Sequence, residues 1–444
     1  MLNKLPWFNS RKRFIIASLS DLFVFHGFIY RYSFYNQMNN RNIIEMIFFL
    51  ITWVVASYVI GRYAVPEKRL LVLIMRQVFT AILLALILIL LYSFYYVIIT
   101  NNNDSLYIGL IYKLSFLPVS ISIIIQSLIN IALNKLNIKK QKWVLIGSPE
   151  KAKILINELN YSRLNAKVEH ITDDFDFYSM EVIDGFIIDD LSYINNDKIE
   201  RIVTWKSKGY EIINIFDWCE KILQRYPPDL INKDVFLSID FSSTNNIFRF
   251  RLKRSGEFIL SIILLFLLSP LLLIASLFIT LEDNGPILYS QFRTGMKGRK
   301  FKIYKLRTMR IDAEKQGPQW AAREDNRITR IGKILRKTRI DELPQLWSVL
   351  SGEMSLIGPR PERPEIEEGL MQQIPNYHLR FCIKPGLSGW AQVNYPYGAS
   401  VEDTRKKLSY DLYYLKNFSI ILDFLILLKT IRLVLNASGS RPLN

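Results

Sequence analysis

Cysteine is nearly missing from this chain of 444 residues. Cys219 and Cys382 are its only two, so neither a disulfide framework nor a cysteine-rich zinc site can be built. Histidine is as scarce: His26, His170 and His378 are scattered, which argues against a histidine metal cluster. Acid is short too, since 40 Asp and Glu face 57 Lys and Arg and leave a net charge of +17. Yet half of the residues are hydrophobic. That pairing is unusual for one soluble domain and fits long apolar segments flanked by basic surfaces. Nucleic acid, the other common partner of a basic chain, is discounted because the densest basic runs lie beside hydrophobic segments. No short n-region, h-region and small-residue cleavage site is evident, so the first apolar segment is expected to be retained.

What is abundant is apolar length. Residues 1–140 read as a four-helix transmembrane domain, with spans near 14–30, 43–61, 70–99 and 107–133, each near or above the roughly 20 residues a bilayer needs. Ser18, Ser20, Asp21 and His26 interrupt the first span, and Asp21 is expected to make a helix-packing hydrogen bond. Arg11-Lys12-Arg13, Lys68-Arg69 and Lys135, Lys139, Lys140 and Lys142 fall on one side. Asn101-Asn102-Asn103, with Arg31 and Arg41, falls on the other, so both ends of the domain are expected in the cytoplasm. Residues 141–240 alternate strand and helix patterns (143–147, 151–160, 168–171, 185–188), as a small parallel, Rossmann-like α/β module would. Gly147-Ser148-Pro149-Glu150 lacks the dinucleotide fingerprint, so the module is expected to link or regulate.

Residues 241–444 form the third domain. A basic lead of Arg249, Arg251, Lys253 and Arg254 precedes an apolar run over 258–280, long enough to span. Spanning would carry the basic C-terminal region outside, against the charge rule. Re-entry, with a break at Ser269-Pro270, removes the conflict, because proline deletes a backbone bond and bends a helix. Further on, alternation over 288–295 and 301–309 predicts a hairpin around a Gly/Lys turn.

The densest chemistry lies in 338–362, TRIDELPQLWSVLSGEMSLIGPRPE. Asp341 and Glu342 are adjacent carboxylates just after Arg336, Lys337 and Arg339, and Pro344 suits a helix first turn. They can be a helix N-cap. Alternatively, carboxylates held ionised by neighbouring cations can supply a phosphoryl-accepting nucleophile in Asp341 and a Mg²⁺ ligand in Glu342. Arg360, clamped between two prolines, offers a fixed donor fork for phosphate.

This segment resembles the monotopic phosphoglycosyl transferases, also called bacterial sugar transferases, over D-E-L-P-Q-L-x-x-V-L-x-G-x-M-S-L-I-G-P-R-P without a gap. The resemblance extends to Lys305, Arg307, Thr308 and Met309 in K-x-R-T-M, to Arg293 before its glycine, to residues 384–393 (KPGLSGWAQV), and to residues 410–414 and 419–423. It covers roughly residues 246–436. It implies a membrane protein of mixed α and α/β type with a helix-break-helix hairpin at Ser269-Pro270 and a mostly helical catalytic domain. It further implies transfer of a sugar-1-phosphate from a nucleotide sugar, UDP-linked in the family, to undecaprenyl phosphate through a phosphosugar on Asp341. Exopolysaccharide, capsule or O-antigen synthesis would begin there. Asp341 and Glu342 are then catalytic and metal (Mg²⁺) residues, while Lys305, Arg307, Arg360 and Arg293 serve substrate phosphates. Asp411 and Arg380 are further candidates, Asp411 reading equally as a helix-surface acid. The expected partners are the nucleotide sugar, undecaprenyl phosphate, membrane lipids and a second copy of the chain, at the inner membrane with the catalytic domain facing the cytoplasm. An inactive scaffold, or a glycosyl transferase releasing UDP, stays open as an alternative.

Overall fold

The computed structural model describes residues 12–36, 40–63, 70–100, 105–136, 141–161, 166–171, 183–189, 196–231, 247–313, 325–395 and 400–435. Asn101–Asn103, Lys68-Arg69 and Lys139-Lys140, which carry part of the charge pattern, lie outside the described residues. The chain divides into two compact units: Met1–Trp143 with Asn165–Lys167 and Met180–Asp184, and the remainder.

The first unit holds α1 (Lys12–Asn36), α2 (Asn40–Ile60), α3 (Leu70–Thr100) and α4 (Ser105–Leu136). Phe25, Trp53, Ala81, Leu84, Leu88 and Val119 form an apolar core, while Phe23, Phe48 and Phe79 point outward, 82%, 64% and 69% exposed. A polar cluster lies inside. Asp21 accepts from Trp53 Nε1 (3.0 Å), Arg62 Nη1 (3.1 Å), Tyr63 Oη (2.7 Å), Gln126 Nε2 (2.9 Å) and Ser122 Oγ. Arg62 also donates to Gln77 and Ser122. The expected packing role of Asp21 is present, as a buried ion pair with every partner supplied.

After the helices, β1 (Gln141–Ile146), β2 (Ala166–Ile171), β3 (Gly185–Ile188) and β4 (Glu211–Asn214) give a sheet in the order β2-β1-β3-β4, with β3 and β4 parallel. α5 (Pro149–Tyr161) and α6 (Asn196–Ser207) accompany it. Residues 215–231 are fastened to the C-terminal part: Tyr226 N donates to Ser409 O (2.8 Å), Trp390 Nε1 to Gln224 O (3.0 Å), and Lys416 pairs with Glu220 (2.5 Å).

α7 (Ile247–Asp283) is one helical run of 37 residues. The run stays helical across Ser269-Pro270, the expected site of a break. Pro270 has no N–H for the carbonyl four residues back, Phe266 O, and the Ser269 hydroxyl donates to that same oxygen at 2.8 Å. The side chain replaces the lost bond. Near its start, Arg254 donates to the terminal carbonyls Val349 O and Leu350 O, and Glu257 accepts from Leu356 N (3.1 Å) and Ser355 Oγ. Near its end, Ala275 and Ile279 pack with Leu306 and Leu335. Between these contacts Phe266 (78%) and Leu273 (71%) are exposed. Lys253 and Arg254 of the basic lead are internal struts: Lys253 bonds Ile357 O (2.8 Å), Tyr414 Oη (2.9 Å) and Asp423 (3.0 Å).

The remaining elements are the hairpin β5 (Leu288–Thr294) and β6 (Lys300–Leu306), then α8 (Arg330–Thr338), a 3₁₀ segment over Ile340–Gln345, α9 (Leu346–Ser351), β7 (Ser355–Ile357) and α10 (Pro364–Gln373). A second 3₁₀ segment (Tyr377–Cys382) leads to β8 (Gly386–Ser388), which pairs parallel with β7, and to α11 (Trp390–Asn394), α12 (Val401–Lys416) and α13 (Ile420–Leu435). Gly358 and Gly386 let the backbones of the last pair cross closely, because a Cβ on Gly386 would lie 2.0 Å from Gly358 N.

Candidate active site

The chain leaves α8 at Arg339, whose φ of +60° is left-handed. That turn throws the backbone into the 3₁₀ segment that carries Asp341 and Glu342, and it points Arg339 back at Glu342. A non-glycine residue in this region costs energy and marks a place where geometry is imposed. Neither acid caps a helix: no side-chain cap bond is made at Arg339 or Gln345, and Pro344 sits inside the 3₁₀ segment.

Both carboxylates are buried, yet their surroundings differ. Glu342 Oε1 takes Arg360 Nη2 at 2.6 Å and Lys305 Nζ at 3.2 Å, and its Oε2 takes Arg339 Nη1 at 3.3 Å. Burial pushes Glu342 up, but Arg360, Lys305 and Arg339 outweigh it and hold the carboxyl well below its usual range. Asp341 has no such set, and its Oδ1 is buried without a hydrogen bond. Burial, then the charge of Glu342, pushes it up to about 6. The expectation that cations hold both carboxylates low is met only at Glu342: at Asp341 the pull of Lys305, Arg339 and Arg336 is outweighed by burial and by Glu342, which leaves Asp341 the more basic of the pair. It is still largely ionised at neutral pH. An acceptor-rich group with an open lone pair, beside a cation-clamped partner, can attack an electrophile or ligate a hard cation.

Lys305 reaches this place because β6 pairs with β5 in the register Tyr289 opposite Lys305. Arg360 reaches it from the turn after β7. The other expected phosphate ligands are elsewhere engaged. Arg307 is ion-paired with Asp283 at the end of α7. Arg293 Nη1 donates to Pro361 O (3.2 Å), its Nη2 to Gln291 Oε1 (2.8 Å), and Glu362 lies 3.5 Å away. Arg380 Nη2 donates to Arg360 O (2.6 Å) and is 3.3 Å from Asp411. Asp411, far from being a helix-surface acid, is buried; burial outweighs Arg380 and Lys407 and pushes it up to about 6. Arg339 is the site residue that the sequence reading missed. Its place in the basic run was visible, but its backward turn was not.

As a magnesium site the pair fits through Asp341, whose orphaned Oδ1 is a hard donor of the kind Mg²⁺ takes, with Glu342 beside it. Mg²⁺ commonly uses one or two carboxylates and fills its shell with water and phosphate oxygens. Among the described residues no group of three or more His, Cys, Asp or Glu is placed to hold a metal.

In the α/β module, the point where a doubly wound fold would hold a phosphate is taken by the protein itself. Asp189 accepts from Ser148 N (3.4 Å) and pairs with Lys151 (2.6 Å) at the start of α5.

A family described as bacterial sugar transferase matches residues 248–437, the stretch from α7 to the end of α13. A putative undecaprenyl-phosphate N-acetylgalactosaminyl 1-phosphate transferase of Bacillus subtilis (strain 168) is 50% identical over 129 residues, which cover 29% of this chain and 72% of that protein. The chain belongs to the bacterial sugar transferase family. A UDP-N-acetylgalactosamine-undecaprenyl-phosphate N-acetylgalactosaminephosphotransferase of Aeromonas hydrophila is 47% identical over 190 residues, 43% of this chain and 45% of the relative. A UDP-glucose:undecaprenyl-phosphate glucose-1-phosphate transferase of Escherichia coli (strain K12) is 37% identical over 182 residues, 40% and 39% of the two chains. The matched region thus spans less than half the length of these last two relatives. The family match over residues 248–437 includes every residue of the Asp341–Glu342 site.

Proposed function

We propose that this sugar transferase is an enzyme that moves a sugar-1-phosphate from a UDP-sugar to undecaprenyl phosphate, the step that starts an exopolysaccharide, capsule or O-antigen chain. The observation that carries this reading is the asymmetry of the carboxylate pair: one oxygen of Asp341 is buried and unpartnered, while three cations fix Glu342. Asp341 attacks the β-phosphorus of the donor. A P–O bond forms to the carboxylate, the bond to the bridging oxygen breaks, and UMP leaves. An oxygen of the polyprenyl phosphate then attacks the same phosphorus, and the carboxylate of Asp341 is released. Arg360 and Lys305 are near enough to Glu342 to share their charge with phosphate oxygens as these develop negative charge. Mg²⁺, held by Asp341 with Glu342, would neutralise phosphate oxygens.

The acceptor is a lipid, so the site works at a membrane surface. The first unit supports this with outward apolar side chains around an internal polar cluster, the reverse of a soluble bundle. Two described stretches, Val72–Leu90 and Phe248–Asp283, are long and apolar enough to cross a bilayer. For α7 the favoured reading is re-entry from the cytoplasmic face, because both ends pack on the same catalytic part while the middle is exposed.

Membranes containing the protein, given UDP-N-acetylgalactosamine, UDP-glucose and other UDP-sugars, should release UMP with at least one donor and build a lipid-linked diphosphate sugar. Release of UDP would instead mean transfer of the sugar alone. Glu342→Gln should raise the Mg²⁺ concentration needed for half-maximal rate, and an unchanged requirement would remove Glu342 from the metal site.

A further inference from the structure

Three arginines meet at the Arg360–Pro361 turn, and only one faces the carboxylates. Arg360 sends its guanidinium to Glu342 at 2.6 Å. Behind it, Arg380 Nη2 donates to the main-chain oxygen of Arg360 at 2.6 Å, and Arg293 Nη1 donates to the next oxygen, Pro361 O, at 3.2 Å. Two successive carbonyls are thus each held by a separate cation, Arg380 buried and Arg293 half-buried. Arg380 is itself fixed on its far side by Asp411 at 3.3 Å, by Tyr377 Oη at 2.5 Å and, more distantly, by Glu367 at 3.9 Å. Arg380, Asp411 and Glu367 are all buried.

Resting on the function proposed above, we propose that Arg380 and Asp411, together with Arg293, are positioning residues for the transfer, acting through Arg360 and not on substrate. A desolvated ion pair is a poor source of stability, because its attraction is spent on removing two charges from water. It is an effective device for orientation, since a guanidinium fork offers several donors in a fixed plane. Here the fork sets the peptide plane of residue 360, and the flanking prolines remove the freedom of φ at 359 and 361. The side chain of Arg360 then leaves the turn in one direction, toward Glu342. Asp411 in α12 belongs to the same helix as Ser409 and Lys416, which bind Tyr226 N and Glu220. Residues 220–226 therefore reach the catalytic arginine through that helix.

The test is a double-mutant cycle on UMP release in the full-length protein. Asp411→Asn should lower kcat by about 100-fold, the scale of a small misplacement of a reacting group. The KM for the donor should stay within about threefold. In an Arg360→Ala background the same substitution should cost less than about threefold, because the residue it positions is gone. Equal fold losses in both backgrounds, or a rise in KM with kcat intact, would overturn the proposal in favour of an independent substrate contact. Tyr377→Phe removes one acceptor from Arg380 without stranding a charge. It is read in the same cycle, so that a poorly folding Asp411→Asn does not decide the matter. A wild type that releases no UMP would sink the function and leave the positioning claim to crystallography. An Arg360 guanidinium still on Glu342 in crystals of Tyr377→Phe and Asp411→Asn would then refute it.

Discussion

Asp21 in the helical bundle and Asp341 in the catalytic part are both buried aspartates in basic surroundings, and they are completed in opposite ways. Asp21 receives donors from five side chains, an arginine among them. Asp341 keeps one buried oxygen with none. A buried acceptor without a donor carries a desolvation penalty of roughly 1–3 kcal/mol, more when charged, so a fold built only for stability would supply one. The bundle does so and the catalytic part does not. Completion marks the first as architecture, and the open lone pair marks the second as a place where something else is to bind.

The comparison breaks most readily at Asp341. Asp341→Asn preserves shape and should reduce turnover by at least about 10³-fold, the scale seen when a covalent nucleophile is removed. Its melting temperature should not fall; near wild-type UMP release would end the covalent reading. Asp21→Ala should do the reverse. Stranding Arg62 in the bundle should cost about 3–5 kcal/mol, seen as earlier thermal unfolding of the first unit. The rate per folded molecule should stay within about twofold of wild type.

A smaller effect sharpens the contrast with pH. Since Asp341 must be ionised to attack and is pushed up to about 6, kcat/KM should drop about tenfold per unit below pH 6. The sign for stability is opposite: a carboxyl raised in the folded state binds its proton more tightly there, so protonation favours the fold. Glu342, held low, gives up its contribution only at more acid pH. Activity should therefore fall roughly five- to tenfold between pH 6 and 5 while the site stays folded, as near-ultraviolet circular dichroism would report. Least of all, Ser269→Ala should destabilise α7 by about 1 kcal/mol by leaving Phe266 O unpaired. A larger loss, or none, would show that this bond is not what compensates Pro270.

Much of this was legible in the chain. The 2-residue alternation of β5 and β6, the helical runs of the first unit and the carboxylate pair all rest on local pattern, and local pattern survives folding. Partner identity does not. Arg293, Arg307 and Arg380 have the residue type that phosphate needs, but a guanidinium binds a carbonyl or a carboxylate equally well, and only tertiary placement decides. Lys253 and Arg254 follow the same rule: nothing in the basic lead shows that the carbonyl end of α9 lies against Arg254. The helical path through Pro270 was hidden because its remedy is a single side-chain bond.

One property of α7 reaches further. Glu257 and Ala275, and likewise Ser261 and Ile279, are buried positions on this helix, and each pair lies about five full turns apart at 3.6 residues per turn. The two docking faces are therefore in phase, and the helix acts as a vernier between its ends. Adding a single residue near Leu267 would rotate one face by about 100° against the other. Evolution can change which apolar residues occupy the middle of this helix freely, but it can alter their number only in steps close to whole turns.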